Sequence, residues 1–467
     1  MYGPVYRHLL LPLFDRVLKG RQTLKYWREA EERQWWSPAE LQAFQFSQLQ
    51  RLVNTASGNC PYYAQAWQER GLSVGQLQSP DDFARWPLIT RDTIREHRMT
   101  MRNQQPLKLI SKGTGGSSGQ PLQFDVSAES HERRTALMYR GYGWAGGAPG
   151  TRQLYLWGGP LHMASRWARL KNQAHHAFDR HTIINCFEMT PDRMPGHVAT
   201  LQKCRPDVIV AYTNPLYEFA RYLDEQHIQP WQPRSLIIGA EKIYPHQREL
   251  IERVFRAPVF ESYGSREFML IGAECEHHNG LHLSVDNLLV EILDEDGQPT
   301  SAGQVGQVVI TDLFNLGMPF IRYVNGDRAL AGSEICPCGR GLPLLKGVAG
   351  RQLDLLTTPD GRTVPGEFFP HLLKEFSAIR RFQVLQSTPD CITLKLVAPD
   401  LSLADQELLL LAIRATVGEV VELRLQRVTE IPLTAAGKHR VVVRELSPTG
   451  AAVQDSAQPP HPLRPVH

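Results

Sequence analysis

The sequence predicts an α/β protein: a large N-terminal domain of mixed sheets and helices, followed by a small C-terminal α/β domain. Three observations carry this expectation. The first hundred residues show helical rather than strand periodicity. From about residue 150, short β-rich runs alternate with helical stretches. Past residue 355, alternating strands flank one amphipathic helix.

Taken in order, "SPAELQAFQFSQLQRLVNTAS" places Ser37 as a helix cap and Pro38 at the first helical position, with Leu41, Phe44, Leu49 and Leu52 at near-helical spacing. "RQLYLWG", "DVIVAY", "SLIIGAE" and "APVFESYG" read as strands closing on small or polar residues. "NPLYEFARYLDEQ" and "YPHQRELIERVF" read as the helices between them. This is the rhythm of a parallel sheet, whose ligands bind beyond the carboxyl ends of the strands. Ala240-Glu241 and Tyr263-Gly264 fall at such ends. After residue 280 the pattern turns purely β, with "LLVEILDEDGQ" and "GQVVITDL". "FQVLQ", "ITLKLVA" and "VELRLQRV" then surround the helix "LADQELLLLAIRATV". The expected limits are 1–100 for the helical part of the large domain, 101–352 for its core, 353–446 for the small domain, and 447–467 for a disordered tail.

Composition excludes some function classes. The net charge is +3 with no long basic run, so nucleic acid is not an expected partner. No stretch of eighteen apolar residues exists, so no membrane span is expected. The opening "MYGPVYRHLLLPLFDRVLKG" mixes apolar and basic residues without a small-residue cleavage site. A helix packed on the body or on a second subunit is expected there, making a homodimer one expectation and a membrane partner not one. A helix lying on an anionic membrane is the alternative. Seven cysteines, an odd number, do not form a disulfide framework, which fits a reducing cytoplasmic compartment. Cys60, Cys186, Cys204 and Cys391 read as ordinary buried thiols.

Three cysteines differ. "CEHHNGLH" (275–282) and "CPCGR" (336–340) together offer three thiols and three imidazoles. Cys-Pro-Cys-Gly is a tight knuckle whose sulfurs can face one ion, and Zn²⁺ takes four such ligands in closed structural sites. Cys275, His282, Cys336 and Cys338 are the expected set, with His277 or His278 as substitutes for His282. Reduced cysteines around a turn are the bland alternative.

"SKGTGGSSGQPLQF" (111–124) crowds glycines and hydroxyls into one loop. It is no Walker loop, since Gly119 is followed by Gln120 and Pro121, and no dinucleotide fingerprint, since Ser118 stands where a third glycine belongs. Hydroxyls and free N–H groups on glycine-rich backbone suit a polyphosphate, although a flexible linker has the same composition. Four further segments follow in order: Gly239-Ala240-Glu241; Glu261-Ser262-Tyr263-Gly264-Ser265-Arg266-Glu267; Tyr323 to Asp327; and Gly350-Arg351-Gln-Leu-Asp354. Pro432 to Lys438 closes the small domain. With "PLITRDTIREH" and "CPCGRGLP", this series resembles the acyl/aryl adenylate-forming superfamily, in its phenylacetate–coenzyme A ligase and CapK-like branch, from about residue 5 to 446. The CapK-like group is associated by name with capsular polysaccharide biosynthesis.

The resemblance implies an AMP-forming ligase in which a carboxylate attacks the α-phosphate of ATP and pyrophosphate leaves. The acyl group then passes to coenzyme A or to an amine or hydroxyl acceptor. It also implies that the small domain is mobile, with a hinge at 352–355. Thr114, Gly115, Gly116, Ser117, Ser118 and Gly119 would hold the β- and γ-phosphates. Gly239, Ala240 and Glu241 would line the adenine site, and Tyr263, within Glu261 to Arg266, would stack near the base. Glu267 would ligate Mg²⁺, Asp327 the ribose hydroxyls, and Arg351 the ribose or phosphate. Lys438 would neutralise charge during adenylation. Trp157, Tyr212, Thr213, Asn214 and Pro215 are the expected lining of the acid pocket, and His162 and Arg266 could meet a polar acid. A catalytically idle nucleotide-binding or scaffold relative is the competing reading. This chain departs from the family pattern in carrying Arg266 where threonine is usual, and in lacking a lysine beyond Pro121.

Overall fold

The described residues of this computed structural model run from 2 to 444, save 115–121, 159–165, 187–188, 190–191, 333–334, 352–354, 360–362, 366–367, 374–375, 377 and 433–439. The expected tail, the hinge residues 352–354, the glycine loop beyond Thr114, His162 and Lys438 lie outside the described residues. The chain divides into a large unit up to residue 351 and a small unit from residue 355. The fold is mixed α/β, as the sequence predicts.

The large unit starts with helices, among them a continuous helical run over residues 2–18 that is π-helical at Tyr6–Leu10 and Leu13–Leu18, and Thr23–Arg33, Pro38–Asn59, Pro61–Gln68 and Arg91–His97. In Pro38–Asn59, Ser37 Oγ accepts from the Glu40 N–H while the Glu40 carboxylate accepts from the Ser37 N–H, and Pro38 needs no partner at the first turn. Leu41, Leu49, Leu52, Val53 and Ala56 form its buried face. Each Leu or Val so buried contributes about 1.5–3 kcal/mol.

Strands β1 (Leu109–Gly113) and β2 (Gln123–Ser127) form an antiparallel hairpin. Its base is fixed by Asp125, fully buried, which accepts from Ser111 Oγ, Arg98 and Arg102. Eleven strands make the main sheet. Its parallel half holds β3 (Gln153–Trp157), β4 (His181–Asn185), β5 (Val208–Tyr212), β6 (Ser235–Gly239) and β7 (Val259–Ser265), in the order β4-β3-β5-β6-β7. β5 and β6 are buried at every position, as befits strands covered on both faces. Its antiparallel half holds β8 (Met269–Glu274), β9 (Leu281–Leu283), β10 (Leu288–Leu293), β11 (Val305–Asp312), β12 (Tyr323–Ala331) and β13 (Leu344–Arg351). β7 is the seam, parallel to β6 on one side and antiparallel to β8 on the other.

Connections run from β3 outward to β4, then back across to β5, so the strand order reverses between β3 and β5. A crevice opens at such a reversal beyond the strand ends. One core lies between the N-terminal helices and the antiparallel strands, and another beside the parallel strands and their helices.

In the small unit, β14 (Leu355–Thr357) pairs with β15 (Thr363–Pro365). β16 (Arg381–Thr388), β17 (Cys391–Val397), β18 (Glu422–Arg427) and β19 (Val442–Arg444) form a sheet in the order β18-β17-β16-β19. The helix Leu403–Val417, capped by Ser402, crosses from β17 to β18 and buries Leu409, Ile413 and Val417. Its core is separate from those of the large unit.

Candidate functional site

The site is assembled on β7 and β12. Tyr263, at the register shift of β7, is buried, and its hydroxyl donates to Asp327 Oδ2 at 2.9 Å. Asn325 Nδ2 reaches both the Tyr263 hydroxyl at 2.8 Å and Asp327 Oδ2 at 3.0 Å. Asn325 Oδ1 accepts from the Asp327 N–H, and Gly326 between them takes φ +85°, a turn that suits glycine. The β12–β13 register sets Arg351 opposite Asp327. Two residues expected near the ribose are therefore cross-strand partners.

Two residues before Asn325 on β12, Tyr323 donates to Glu267 Oε1 at 3.4 Å. Glu267 is only 6% exposed, and Arg91 Nη2 lies 3.7 Å from the same oxygen. Local structure explains Arg91. Ile89 bridges to Tyr323, accepting from the Val324 N–H and donating to the Arg322 carbonyl. Thr90 then caps the helix Arg91–His97, which holds Arg91 at its first position beside β12. Arg91 Nη2 also donates to Thr114 Oγ1 at 3.3 Å. Thr114 closes the hairpin, its N–H bonded to the Leu122 carbonyl and its hydroxyl accepting from the Leu122 N–H. Thr114, the Tyr263 and Glu267 pair of one segment, and Asp327, from three distant segments, thus converge through Arg91, Tyr323 and Asn325.

Sequence reasoning gave no role to Arg91 or Asn325, although both sit inside quoted segments. It also passed over Lys112 on β1. Lys112 Nζ lies 3.2 Å from His131 Nδ1. Burial first, then the positive charges of Arg134 and Arg266, pulls the Lys112 pKa down to about 8. Burial and then the charge of Lys112 bring His131 to about 4, so the imidazole is neutral at pH 7 and accepts from the ammonium. Arg266 is exposed.

At the reversal of strand order, Trp157 ends β3 and Tyr212 ends β5, and their ring centroids are 4.2 Å apart. Burial pushes the Tyr212 pKa up to about 12. Thr213 and Asn214 open the helix Thr213–Glu225, with Pro215 in its first turn. Thr213 Oγ1 donates to the Glu241 carbonyl, and the Asn214 N–H donates to Glu241 Oε2, both at 2.9 Å. A carboxylate at a helix N-terminus is favoured by the aligned peptide dipoles. A Cβ on Gly239 would lie 2.7 Å from Ser262 Oγ, so the end of β6 can approach β7 this closely only as glycine. Ala240 follows at φ +69°, a strained conformation for a residue with a side chain.

Other residues of the β7 segment are engaged within the protein. Glu261 pairs with Arg248 at 2.8 Å, and burial, then Glu274, raises its pKa. Ser262 Oγ donates to the Ile238 carbonyl, and Ser265 Oγ accepts from the Phe268 N–H. A Cβ on Gly264 would sit 2.0 Å from the Met269 carbonyl oxygen.

A second constellation lies on the antiparallel half. Cys275, His282, Cys336 and Cys338 place their ligand atoms within 4.8 Å of one another. Register brings them together, since His282 on β9 faces Ala273 of β8 and Leu344 of β13. Cys275 follows β8, and the knuckle precedes β13. Gly339, at φ +83°, turns the knuckle and donates its N–H to the Cys336 carbonyl. Cys275 and Cys336 sulfurs are 3.6 Å apart, close to the ~3.7 Å edge of a tetrahedron with Zn–S bonds of about 2.3 Å. His282 Nδ1 lies 3.1 Å from the Leu342 carbonyl. A carbonyl only accepts, so Nδ1 carries the proton and Nε2 keeps its lone pair, 3.4 Å from Cys338 Sγ. The donor set fits a closed zinc site. The substitutes are placed elsewhere: His278 meets Glu274 at 3.1 Å, and His277 is exposed.

The model of the CapK C-terminal domain matches residues 356–445. The phenylacetate–coenzyme A ligase of Thermus thermophilus is 24% identical over 360 residues, covering 74% of this chain and 78% of that protein. Protein CapK of Staphylococcus aureus is 21% identical over 336 residues, covering 71% and 72%. The crystal structure of 2-hydroxyisobutyryl-CoA ligase in the postadenylation state, in complex with R3-HIB-AMP, superimposes with a TM-score of 0.71. It is 22% identical, and the match covers 89% of this chain and 91% of that one. The chain thus has the fold of the adenylate-forming ligases, is similar in sequence to their phenylacetate–coenzyme A ligase and CapK-like branch, and carries a CapK C-terminal domain in its small unit.

Proposed function

We propose that this protein is an ATP-dependent ligase that activates a carboxylic acid as its acyl-adenylate and passes the acyl group to coenzyme A or another nucleophile. The observation that carries this reading is the convergence of Thr114, Glu267, Tyr263 and Asp327 through Arg91, Tyr323 and Asn325. The relatives named phenylacetate–coenzyme A ligase support the reaction class.

In this reading Tyr263 lies against the adenine and Asp327 accepts from the ribose hydroxyls. Glu267, an oxygen ligand at the edge of the phosphate site, holds Mg²⁺, whose charge offsets that of the polyphosphate. Lys112 supplies the cation that the missing lysine beyond Pro121 would have supplied, from the opposite strand of the same hairpin. Arg91 orients Glu267 and Thr114 together. Ser117 and its neighbours contact the phosphates, Arg351 the ribose or phosphate, and Lys438 the reacting α-phosphate, all by the motif resemblance. The acid sits at the strand-order reversal, against Trp157 and Tyr212. The Cys275, His282, Cys336 and Cys338 cluster holds a structural zinc, with no position left for substrate.

Pyrophosphate release with ATP, Mg²⁺ and a panel of aromatic and short hydroxylated acids tests the proposal. Release with at least one acid is expected. Tight ATP binding without release for any acid would instead assign the chain to the idle relatives.

A further inference from the structure

We infer that the exposed face of the Tyr2–Leu18 helix docks on the surface of an anionic lipid bilayer. The inference does not depend on the reaction proposed above.

One face of this helix is anchored to the protein. Tyr2 donates to the Phe178 carbonyl and Tyr6 to Asp179 Oδ1, both at 2.6 Å. The Tyr6 ring rests on Gly150, where a Cβ would come within 2.7 Å of it. Phe14 packs 5.3 Å from the Phe178 ring. The other face carries Val5, Leu9, Leu13 and Val17, spaced four apart, with Leu18 beside them. Residues four apart line one side of a helix. All five are exposed, Leu9 at 62% and Val17 at 71%. Single exposed apolar residues need no explanation, but a row along one helix does.

Charge selects the occupant. From Tyr2 to Gln22 the chain carries Arg7, Arg16, Lys19 and Arg21 against one acid, Asp15, which is buried. This short stretch alone matches the +3 of the whole protein. Arg16, Lys19 and Arg21 are exposed next to the apolar row. An apolar stripe bordered by basic side chains is the pattern of a helix lying in the interface of an anionic membrane. A second copy of the chain suits the face less well, because a two-fold interface sets a patch against itself. Arg16, Lys19 and Arg21 would then meet their own counterparts without an exposed acid among Tyr2–Gln22 to offset them. The helix is far too short and interrupted to span a bilayer, and no helix among the described residues is long and apolar enough to do so.

Vesicle co-sedimentation of the full chain at low salt tests this. Binding is expected to vesicles of equimolar phosphatidylglycerol and phosphatidylcholine, at least about tenfold weaker binding to pure phosphatidylcholine, and release on adding salt. The Leu9→Glu/Leu13→Glu variant should lose about tenfold or more of the binding, with unchanged circular dichroism and thermal midpoint. Arg16→Glu/Arg21→Glu should lose the preference for the anionic vesicles. Absence of binding at low salt, or equal binding by the Leu9→Glu/Leu13→Glu variant, overturns the inference. So does a dimer in sedimentation equilibrium that this variant splits, which would assign the face to a second copy.

Discussion

Tyr263 donates its phenolic hydrogen bond to Asp327 across 64 residues of sequence, joining the seam strand of the sheet to β12. The proposed base-contacting ring and the proposed ribose acceptor are therefore one unit. Tyr263→Phe keeps the ring and removes the bond. Asn325 still holds Asp327, so the loss should be partial, near the ~1 kcal/mol of an ordinary hydrogen bond. The KM for ATP is expected to rise roughly five- to tenfold, with kcat nearly unchanged. Pyrophosphate release titrated with ATP measures both.

Glu267→Gln removes a charge while keeping the shape. If the carboxylate holds Mg²⁺, kcat/KM should fall by about a hundredfold or more, in the range typical of lost transition-state electrostatics. Lys438→Ala should likewise abolish adenylation while leaving ATP affinity within a few-fold. Normal turnover in either variant would remove that residue from the proposed mechanism.

The paired cation and imidazole at Lys112 and His131 give stability the same pH dependence in two separate windows, and activity the opposite one. Lys112 titrates at about 8 in the folded protein, against ~10.4 in an unfolded chain. The unfolded chain keeps that proton longer, so this group makes stability rise with pH between those values. Activity should move the other way, because neutral Lys112 cannot offset phosphate charge. The kcat/KM profile is expected to fall above about pH 8. Lys112→Arg, always charged, should flatten that limb. His131, held at about 4, contributes stability that is lost as pH drops from ~6.5 toward that value. Urea titrations at several pH values check the rise in both windows.

Stoichiometric zinc is expected in purified protein, and a strong chelator should lower the thermal midpoint by several degrees. Cys338→Ser should lose the metal. No zinc by elemental analysis would leave the four residues as unliganded thiols and an imidazole.

Arg140 and Asp286 form a bidentate pair at 2.9 and 3.0 Å, each almost wholly buried. Asp286→Asn leaves the guanidinium without its counter-charge and should cost about 3–5 kcal/mol. The Arg140→Met/Asp286→Leu variant should recover most of that loss. Urea denaturation separates the two.

The strand rhythm was legible because strands covered on both faces read as apolar runs, as in "VIVAY" and "SLIIG". The cap at Ser37 and the crossover helix of the small unit were equally local, and both stand where the sequence puts them. Motif order pointed to Glu267 and Asp327, but not to what surrounds them. Arg91 reaches Glu267 only because Ile89 bridges to β12, a pairing between segments more than two hundred residues apart. No local pattern encodes that. The choice of His282 over His278 was likewise set by strand register, which places one imidazole between β8 and β13 and sends the other to Glu274. Trp157 and Tyr212 read from the sequence as aromatic lining, but their contact depends on strand order, which chain order does not reveal.

Gly264 carries a lesson about witnesses. A methyl group there would collide with the Met269 carbonyl oxygen, so the backbone demands glycine whether or not a nucleotide ever arrives. A silent descendant of this fold would retain it as faithfully as a working one. Residues that fill no space and brace no strand are better informants, and a lost charge among them would betray a retired enzyme long before the architecture did.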